Sequence, residues 1–339
     1  MVEIDAYLRD LIVKKELPGA VLHVQQKGST VFHRAYGGFI DSNHQSHTMK
    51  ISTRFDIASL TKVMATLPSI LWLVDNTSVE LDHTIQTYIP EFVNQEITIR
   101  QALTHTTGLP ADLMPPVQRF EKRDVFNEVV NAELVSKPGN VVRYSDLGMI
   151  LLGVVIEKVS GRPISTFTKK VLYKPLGLTQ TSFHPEQPLQ VASTEWTKDR
   201  YLQGEVHDEK ALHLGGASGS AGLFSTASDV GNFGSYFLYP ETQTVLSQTL
   251  MKKARNHVAE NRGMGFEVWS GKGTTLSCGR GWSAGSFGHT GFTGTSLWID
   301  PQKELIVTFL TNVVQYGRKH NMKHIRPDLH SLIHAHFTN

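Results

Sequence analysis

The 339-residue chain is long enough for one large core or two closely joined ones, and 40% hydrophobic with 19% charged residues suits a folded globular protein, not a disordered one. A net charge of +2, with both signs mixed along the sequence, demands neither nucleic acid nor an anionic membrane as a partner. The single cysteine, Cys278, excludes an intrachain disulfide and provides no metal cluster.

The amino terminus, Met-Val-Glu-Ile-Asp-Ala-Tyr-Leu, lacks a basic segment followed by an apolar run. No stretch approaches about 18 uninterrupted apolar residues, so no membrane span is expected. As it stands the chain reads as soluble, unexported and cytoplasmic; a secreted or wall-associated chain trimmed of its leader would read the same.

In chain order, Ile4, Tyr7, Leu8, Leu11 and Ile12 fall at helical spacing and predict an amphipathic helix packed on a sheet. Residues 20–26 and 30–36, joined by Lys27-Gly28, predict a hairpin that Gly37-Gly38 ends. The stretch Phe55-Asp56-Ile57-Ala58-Ser59-Leu60-Thr61-Lys62 then opens an apolar run, 63–74, that reads as a helix buried on nearly every side and kinked or split at Pro68. Short helices are expected at 82–88 and 97–103, the latter capped by Thr98, followed by a loop at 104–110 and another helical pattern at 121–135. Tyr144-Ser145-Asp146 precedes an apolar helix, 147–159, closed by Gly161-Arg162-Pro163, and 166–172 is one more helix. The glycine-rich stretch 215–222 lacks a following Gly-Lys-Ser/Thr, so it suits close backbone approach better than a phosphate cradle. Ser225 or Thr226 caps a helix to Phe237, strands return at 264–269, 286–289, 295–299 and 305–310, and a helix at 322–337 closes the chain beside the first. Strand-rich ends (1–75 with 215–339) therefore enclose a mainly helical part, 76–214, and a site is expected where the two meet.

Ser59 and Lys62 are three apart, which on a helix places them on one face with the amine in reach of the hydroxyl. A helix start supplies free N–H groups that stabilise an oxyanion, and a lysine in a dry site gives up its proton more readily. The tetrapeptide alone is also what an ordinary capped helix carries. Its weight comes from two further stretches, Tyr144-Ser145-Asp146 and His289-Thr290-Gly291 on a strand.

In this order and spacing the three stretches resemble the elements of the penicillin-recognising serine hydrolases: class C β-lactamases, low-molecular-mass D,D-peptidases and related esterases. The resemblance extends over Gly19-Ala20-Val21, 104–110, Val206-His207-Asp208-Glu209 and Gly288 to Thr295. It implies an α/β (α+β) fold of the β-lactamase/transpeptidase type: an antiparallel sheet flanked by terminal helices, with an inserted mostly helical region. It further implies Ser59 as the acylated nucleophile, Lys62 as proton acceptor and Tyr144 as the phenol that passes a proton to the leaving group. The N–H groups of Ser59 and Phe292 would form the oxyanion hole, and Asp146, His289, Thr290 and Gly291 would meet the substrate. No cofactor or metal is implied; the expected partners are a small-molecule or peptide substrate and, as covalent ligands, β-lactams.

Two departures modify that expectation. Asp146 stands where the family usually has Asn, and a carboxylate there would hold Lys62 charged. His289 stands where many β-lactamases carry Lys; histidine titrates near about 6.5 and is a weaker permanent anchor for a carboxylate. A cell-wall peptide or related amide, cut by a D,D-peptidase or muropeptide amidase, thus fits better than efficient β-lactam turnover. Carboxylester cleavage is a close variant, and a non-hydrolytic penicillin-binding sensor is the contrasting class. Elsewhere, His207-Asp208 suits a loop hydrogen bond, His330, His334 and His336 suit an exposed helix face, and Cys278 a spectator thiol.

Overall fold

The computed structural model describes residues 1–274 and 276–338. Seven strands form one antiparallel sheet in the order Ser46–Thr48, Ser29–Ile40, Gly19–Gln26, Leu305–Thr311, Ser296–Asp300, Phe287–Thr290, Glu267–Val268. The two ends of the chain thus meet at mid-sheet, where Ala20 pairs with Thr311 and Val24 with Val307. Both central strands are buried along nearly their whole length, as a sheet covered on both faces requires.

The helices Val2–Val13 and Met322–Thr338 cover one face through Ile4, Leu8, Ile325 and Leu329, packed on Leu22, Trp298 and Phe309. Against the other face lies Ala227–Leu238, capped as expected by Thr226, whose hydroxyl accepts the Asp229 N–H. The apolar cluster beneath it continues from Leu310 and Phe233 through Val63 and Leu67 to Leu151 and Ile156. Among the described residues no helix is long and apolar enough to cross a membrane.

Several expectations are corrected. The second strand does not end at Gly37-Gly38 but runs to Ile40, because Ser46–Thr48 pairs with its extension. Residues 82–88 hold only a 3-10 turn, Ile85–Thr87, and 121–135 only the helix Val125–Val130 capped by Asp124. The apolar positions there are filled by single turns pressed on the core, and extended helix is not needed to bury them. The helix expected at 166–172 is Ile164–Thr168 followed by a π-turn, Lys169–Tyr173. The strand at 264–269 shrinks to Glu267–Val268 at the sheet edge.

His330 and His334 are buried, contrary to an exposed face, whereas His336 is exposed. Their spacing from Met322, Ile325, Leu329 and Ile333 puts them in the buried stripe of the last helix. The sheet satisfies them: His330 Nε2 lies 2.9 Å from Ser296 Oγ and His334 Nε2 2.9 Å from Asp300 Oδ2. Cys278 is buried, and burial pushes its thiol up to about 12, which suits a spectator.

Candidate active site

The site begins where the short strand Phe55–Asp56 pairs with Phe224–Ser225. Asp56 is buried; its Oδ1 accepts the Ala58 N–H at 2.8 Å and its Oδ2 the His207 N–H at 2.7 Å. These bonds hold Ala58 at φ 46°, a left-handed conformation that costs a non-glycine residue about 1–2 kcal/mol.

Ser59 does not start an α-helix. Ala58–Leu60 is a 3-10 turn, Lys62–Thr66 a π-helix, and regular α-helix runs only from Leu67 to Asn76. Pro68 bears on the π segment: it has no N–H for the Met64 carbonyl, which instead accepts the Tyr173 hydroxyl at 3.3 Å. Residues three apart eclipse in 3-10 geometry, so the expected juxtaposition is kept by another route. Lys62 Nζ lies 2.8 Å from Ser59 Oγ.

The Lys62 side chain is fully buried, and its amine also donates to the Ser220 carbonyl at 2.9 Å and sits 2.8 Å from Asp146 Oδ1. Ser220 arrives through the glycine-rich stretch. A Cβ on Gly219 would lie 2.0 Å from the Met149 carbonyl oxygen, and Thr66 Oγ1 donates to the Gly219 carbonyl at 2.7 Å. The close approach expected of these glycines is thus used to aim a carbonyl at the lysine.

Asp146 is the first residue of the helix Asp146–Ser160. Its second oxygen lies 3.3 Å from Lys210 Nζ, which also contacts Asp112 at 3.0 Å and Asp208 at 3.3 Å. The charges therefore alternate from Lys62 through Asp146 and Lys210 to two more carboxylates. Burial would raise the Asp146 carboxyl, but Lys62 and Lys210 more than offset it and hold it below the ordinary carboxylate range. Burial would likewise lower Lys62, yet Asp146 and Tyr144 hold its ammonium above the ordinary lysine value. The resting pair is ionised. The raised lysine stabilises the fold below its unfolded value, near about 10.4, and that contribution fades as pH rises through the folded one. The depressed carboxylate contributes above about 3.9 and loses its contribution as pH falls through its folded value.

Tyr144, half-buried, has its hydroxyl close to Lys62 and Ser59, with the ammonium 5.0 Å from its ring centre. Burial raises the phenol, Lys62 pulls the other way and Asp146 adds to the rise. Ser145 is structural: buried, with its hydroxyl donating to the Pro110 carbonyl at 2.6 Å and its N–H to His105 Nδ1 at 3.2 Å.

His289 lies on the edge-side strand Phe287–Thr290, its ring centre 5.9 Å from that of Tyr144. Burial, with Lys62 and Arg262 nearby, holds its imidazole well below the usual histidine range, so the ring is neutral. Nδ1 is 2.7 Å from the Thr290 carbonyl and must donate to it, which leaves Nε2 as an acceptor with no partner among the described residues.

Beyond His289 and Thr290 the chain turns across Ser59. A Cβ on Gly291 would stand 2.5 Å from the Ile57 carbonyl oxygen, while Thr293 Oγ1 donates to the Asp56 carbonyl at 2.7 Å and Thr295 Oγ1 to that of Ile57 at 3.1 Å. From the last helix Arg326 donates to the carbonyls of Gly291, Gly294 and Thr295. Pinned from both sides, the turn places Phe292 over Ser59, and neither the Ser59 nor the Phe292 N–H donates to another described residue. The Phe292 ring stacks on His207 at 5.7 Å. His207 itself lies 3.1 Å from Glu195 Oε2, so it serves the loop hydrogen bonding expected of it.

Ser59 and Tyr144 face two cavities. One, of about 320 Å³, is lined by Arg262, Glu267, His289, Thr290 and Phe292; the other, of about 240 Å³, by Asp146, His207, Lys210 and Phe292. All the residues singled out in the three stretches converge here. Lys210, Asp112, Ser220, Asp56 and Arg326 escape a sequence reading, although Lys210 directly follows the stretch Val206 to Glu209 that carries part of the resemblance.

The chain matches the family model described as Beta-lactamase over residues 4–329. The N-acetylmuramyl-L-alanine amidase of Bacillus subtilis (strain 168) is 32% identical over 339 residues, an alignment covering 87% of this chain and 77% of the relative. Among solved structures, EstCE1, a hydrolase with promiscuous acyltransferase activity, superposes with a TM-score of 0.79 at 21% identity, covering 97% of each chain. The β-lactamase/D-alanine carboxypeptidase from Pseudomonas syringae gives 0.79 at 18% identity over 98% of each. At such identities these two show a shared fold.

Proposed function

Because the chain belongs to the beta-lactamase family of serine hydrolases, we propose that Ser59 is its acylated nucleophile and that its substrate is a cell-wall amide, a muramyl-L-alanine amide in the first place. D-alanyl-D-alanine peptides, carboxylesters and β-lactams are further acyl donors for the same serine. The observation that carries the reading is the Lys62 amine, fully buried and 2.8 Å from Ser59 Oγ. The muramyl preference is supported by the Bacillus subtilis relative named for that bond.

In the proposed cycle Lys62, as the amine, takes the Ser59 proton while Oγ attacks the carbonyl. The Ser59 and Phe292 N–H groups receive the oxyanion, each donor being worth about 3 kcal/mol. Tyr144 gives its proton to the leaving nitrogen and is refilled from Lys62; the C–N bond breaks, and water then cleaves the acyl-enzyme. Asp146, His289, Thr290 and Gly291 shape the substrate's seat. A neutral His289 is no fixed cationic anchor for a β-lactam carboxylate, which supports an amide substrate. The residues come from both parts of the chain, Ser59, Lys62 and His289 from 1–75 with 215–339, and Tyr144, Asp146 and Lys210 from 76–214; we take these two parts as the walls of the cleft.

The resting charges give a pH prediction. Asp146 raises both Lys62 and Tyr144, so the base is freed of its proton only at higher pH. Asp146→Asn removes that influence, and the acidic limb of kcat/KM should move to lower pH. A limb that stays in place removes Asp146 from the proton balance.

The substrate class is tested by a panel of N-acetylmuramyl-L-alanyl-D-isoglutamine, a D-alanyl-D-alanine peptide and a nitrophenyl ester, with product analysis. Release of L-alanyl-D-isoglutamine, lost in Ser59→Ala, is the expected result. Release of D-alanine alone redirects the reading to a D,D-peptidase, and a stable adduct without turnover to a sensor.

A further inference from the structure

The smaller cavity beside Ser59 continues into a groove of about 650 Å³, with Asp112, Glu209, Lys210 and Arg318 lining both. Its volume falls in the range of small-molecule sites, and none of the acyl-transfer steps uses it. Two exposed aromatic residues stand on its walls, Trp196 at 43% and Phe120 at 59% exposure.

The indole of Trp196 is held in place although its surface is open. The hairpin Trp196–Thr197 with Arg200–Tyr201 carries it, the Tyr201 ring meets it edge-on at 5.0 Å, and His44 packs at 5.2 Å. Opposite charges are paired along the groove: Arg318 Nε donates to Glu195 at 2.9 Å, and Lys210 to Asp112 at 3.0 Å. The lining holds four carboxylates and four cations, so it offers no net field to a charged ligand. Arg119 adds buried donors without an acceptor, since Nε and Nη1 have none among the described residues while Nη2 reaches the Val206 carbonyl and Glu205.

Lys198 Nζ covers the Phe120 ring at 3.7 Å, which leaves the exposed Trp196 indole; beside planar, charge-balanced hydrogen-bonding groups it fits a ligand that is neutral, apolar on its ring faces and polar at its edges. A sugar ring has that chemistry. In a muramyl amide the lactyl carboxyl is tied up in the scissile bond, so the sugar on the acyl side carries no charge.

We propose that this groove binds the neutral N-acetylated sugar of the acyl group, its ring stacked on Trp196, and so sets the preference for a sugar-bearing substrate. The inference rests on the reading of the chain as a muramyl-amide hydrolase and extends it to the acyl-side subsite. The larger cavity, with Arg262 and His289, is left for the departing peptide.

The test compares N-acetylmuramyl-L-alanyl-D-isoglutamine with D-lactyl-L-alanyl-D-isoglutamine, which has the same scissile bond and no sugar. The full chain should favour the first in kcat/KM, and Trp196→Ala should cut that preference about tenfold, through KM, with Trp196→Phe retaining most of it. Equal rates on the two amides in the full chain, or an undiminished preference in a folded Trp196→Ala, overturns the proposal. Should neither amide be cleaved, the function assigned above falls, and the groove is judged by binding alone. Titration with the neutral disaccharide of N-acetylglucosamine, followed by tryptophan fluorescence, upholds it if a saturable change disappears in Trp196→Ala and overturns it if no change is seen.

Discussion

Lys62→Met should abolish most turnover, by about 10³- to 10⁴-fold in kcat, while the protein still folds. Methionine has a similar reach and adapts to irregular space, so it fills the buried channel without supplying an amine. Three contacts are lost together, to Ser59 Oγ, the Ser220 carbonyl and Asp146. Breaking a buried ion pair commonly costs about 3–5 kcal/mol because a charge is stranded. Here Lys210 remains 3.3 Å from Asp146, so a smaller loss of about 2 kcal/mol is expected in denaturant unfolding. Lys62→Arg separates the two roles of the residue: it keeps a cation for Asp146 but no usable base, and should lose activity with little loss of stability. Activity within tenfold of the original in either folded variant would take the base assignment away from Lys62.

Ser59→Ala should be more severe, at least about 10⁴-fold, because it removes the hydroxyl that the Lys62 amine reaches. Ser218 and Ser220 lie nearby along the glycine-rich stretch, but both residues are buried and their hydroxyls are bonded to each other at 3.2 Å. The substitution removes one hydrogen bond from Lys62 and leaves two of its partners in place, so stability should change by about 1 kcal/mol or less. Loss of function with a preserved melting transition is the pattern expected of a nucleophile.

The sheet was legible in the sequence wherever one face or both are buried along several residues. The strands Gly19–Gln26 and Leu305–Thr311 and the helix Asp146–Ser160 follow directly from apolar runs bounded by glycine and turn residues. The helix cap at Thr98 was equally direct, since Gln101 three residues on completes a capping box. Local rules failed where the polypeptide is held by distant partners. Ala58 takes a left-handed conformation because Asp56 and the 207 loop require it, and the motif helix unwinds into 3-10 and π turns around Pro68. The burial of His330 and His334 has no local signal because their polar partners, Ser296 and Asp300, lie on another element.

The same division holds for the site. Ser59, Lys62, Tyr144 and His289 announce themselves by residue type and order. Lys210 and Arg326 do not. Lys210 acts by balancing Asp146, and Arg326 by bonding the carbonyls of the turn that carries Phe292. Neither relation has any fixed spacing along the chain. The substitution of Asp for the more usual Asn at 146 was readable as a charge beside Lys62, but the second lysine that shares that charge was not.

The most direct measurement is the mass of the intact protein after brief exposure to benzylpenicillin, followed by peptide mapping. A single penicilloyl addition on the peptide that contains Ser59, absent from Ser59→Ala and much slowed in Lys62→Met, is the predicted result. An adduct on a different residue, or amide turnover that continues undiminished in Ser59→Ala, would contradict the assignment of this serine as the acylated group.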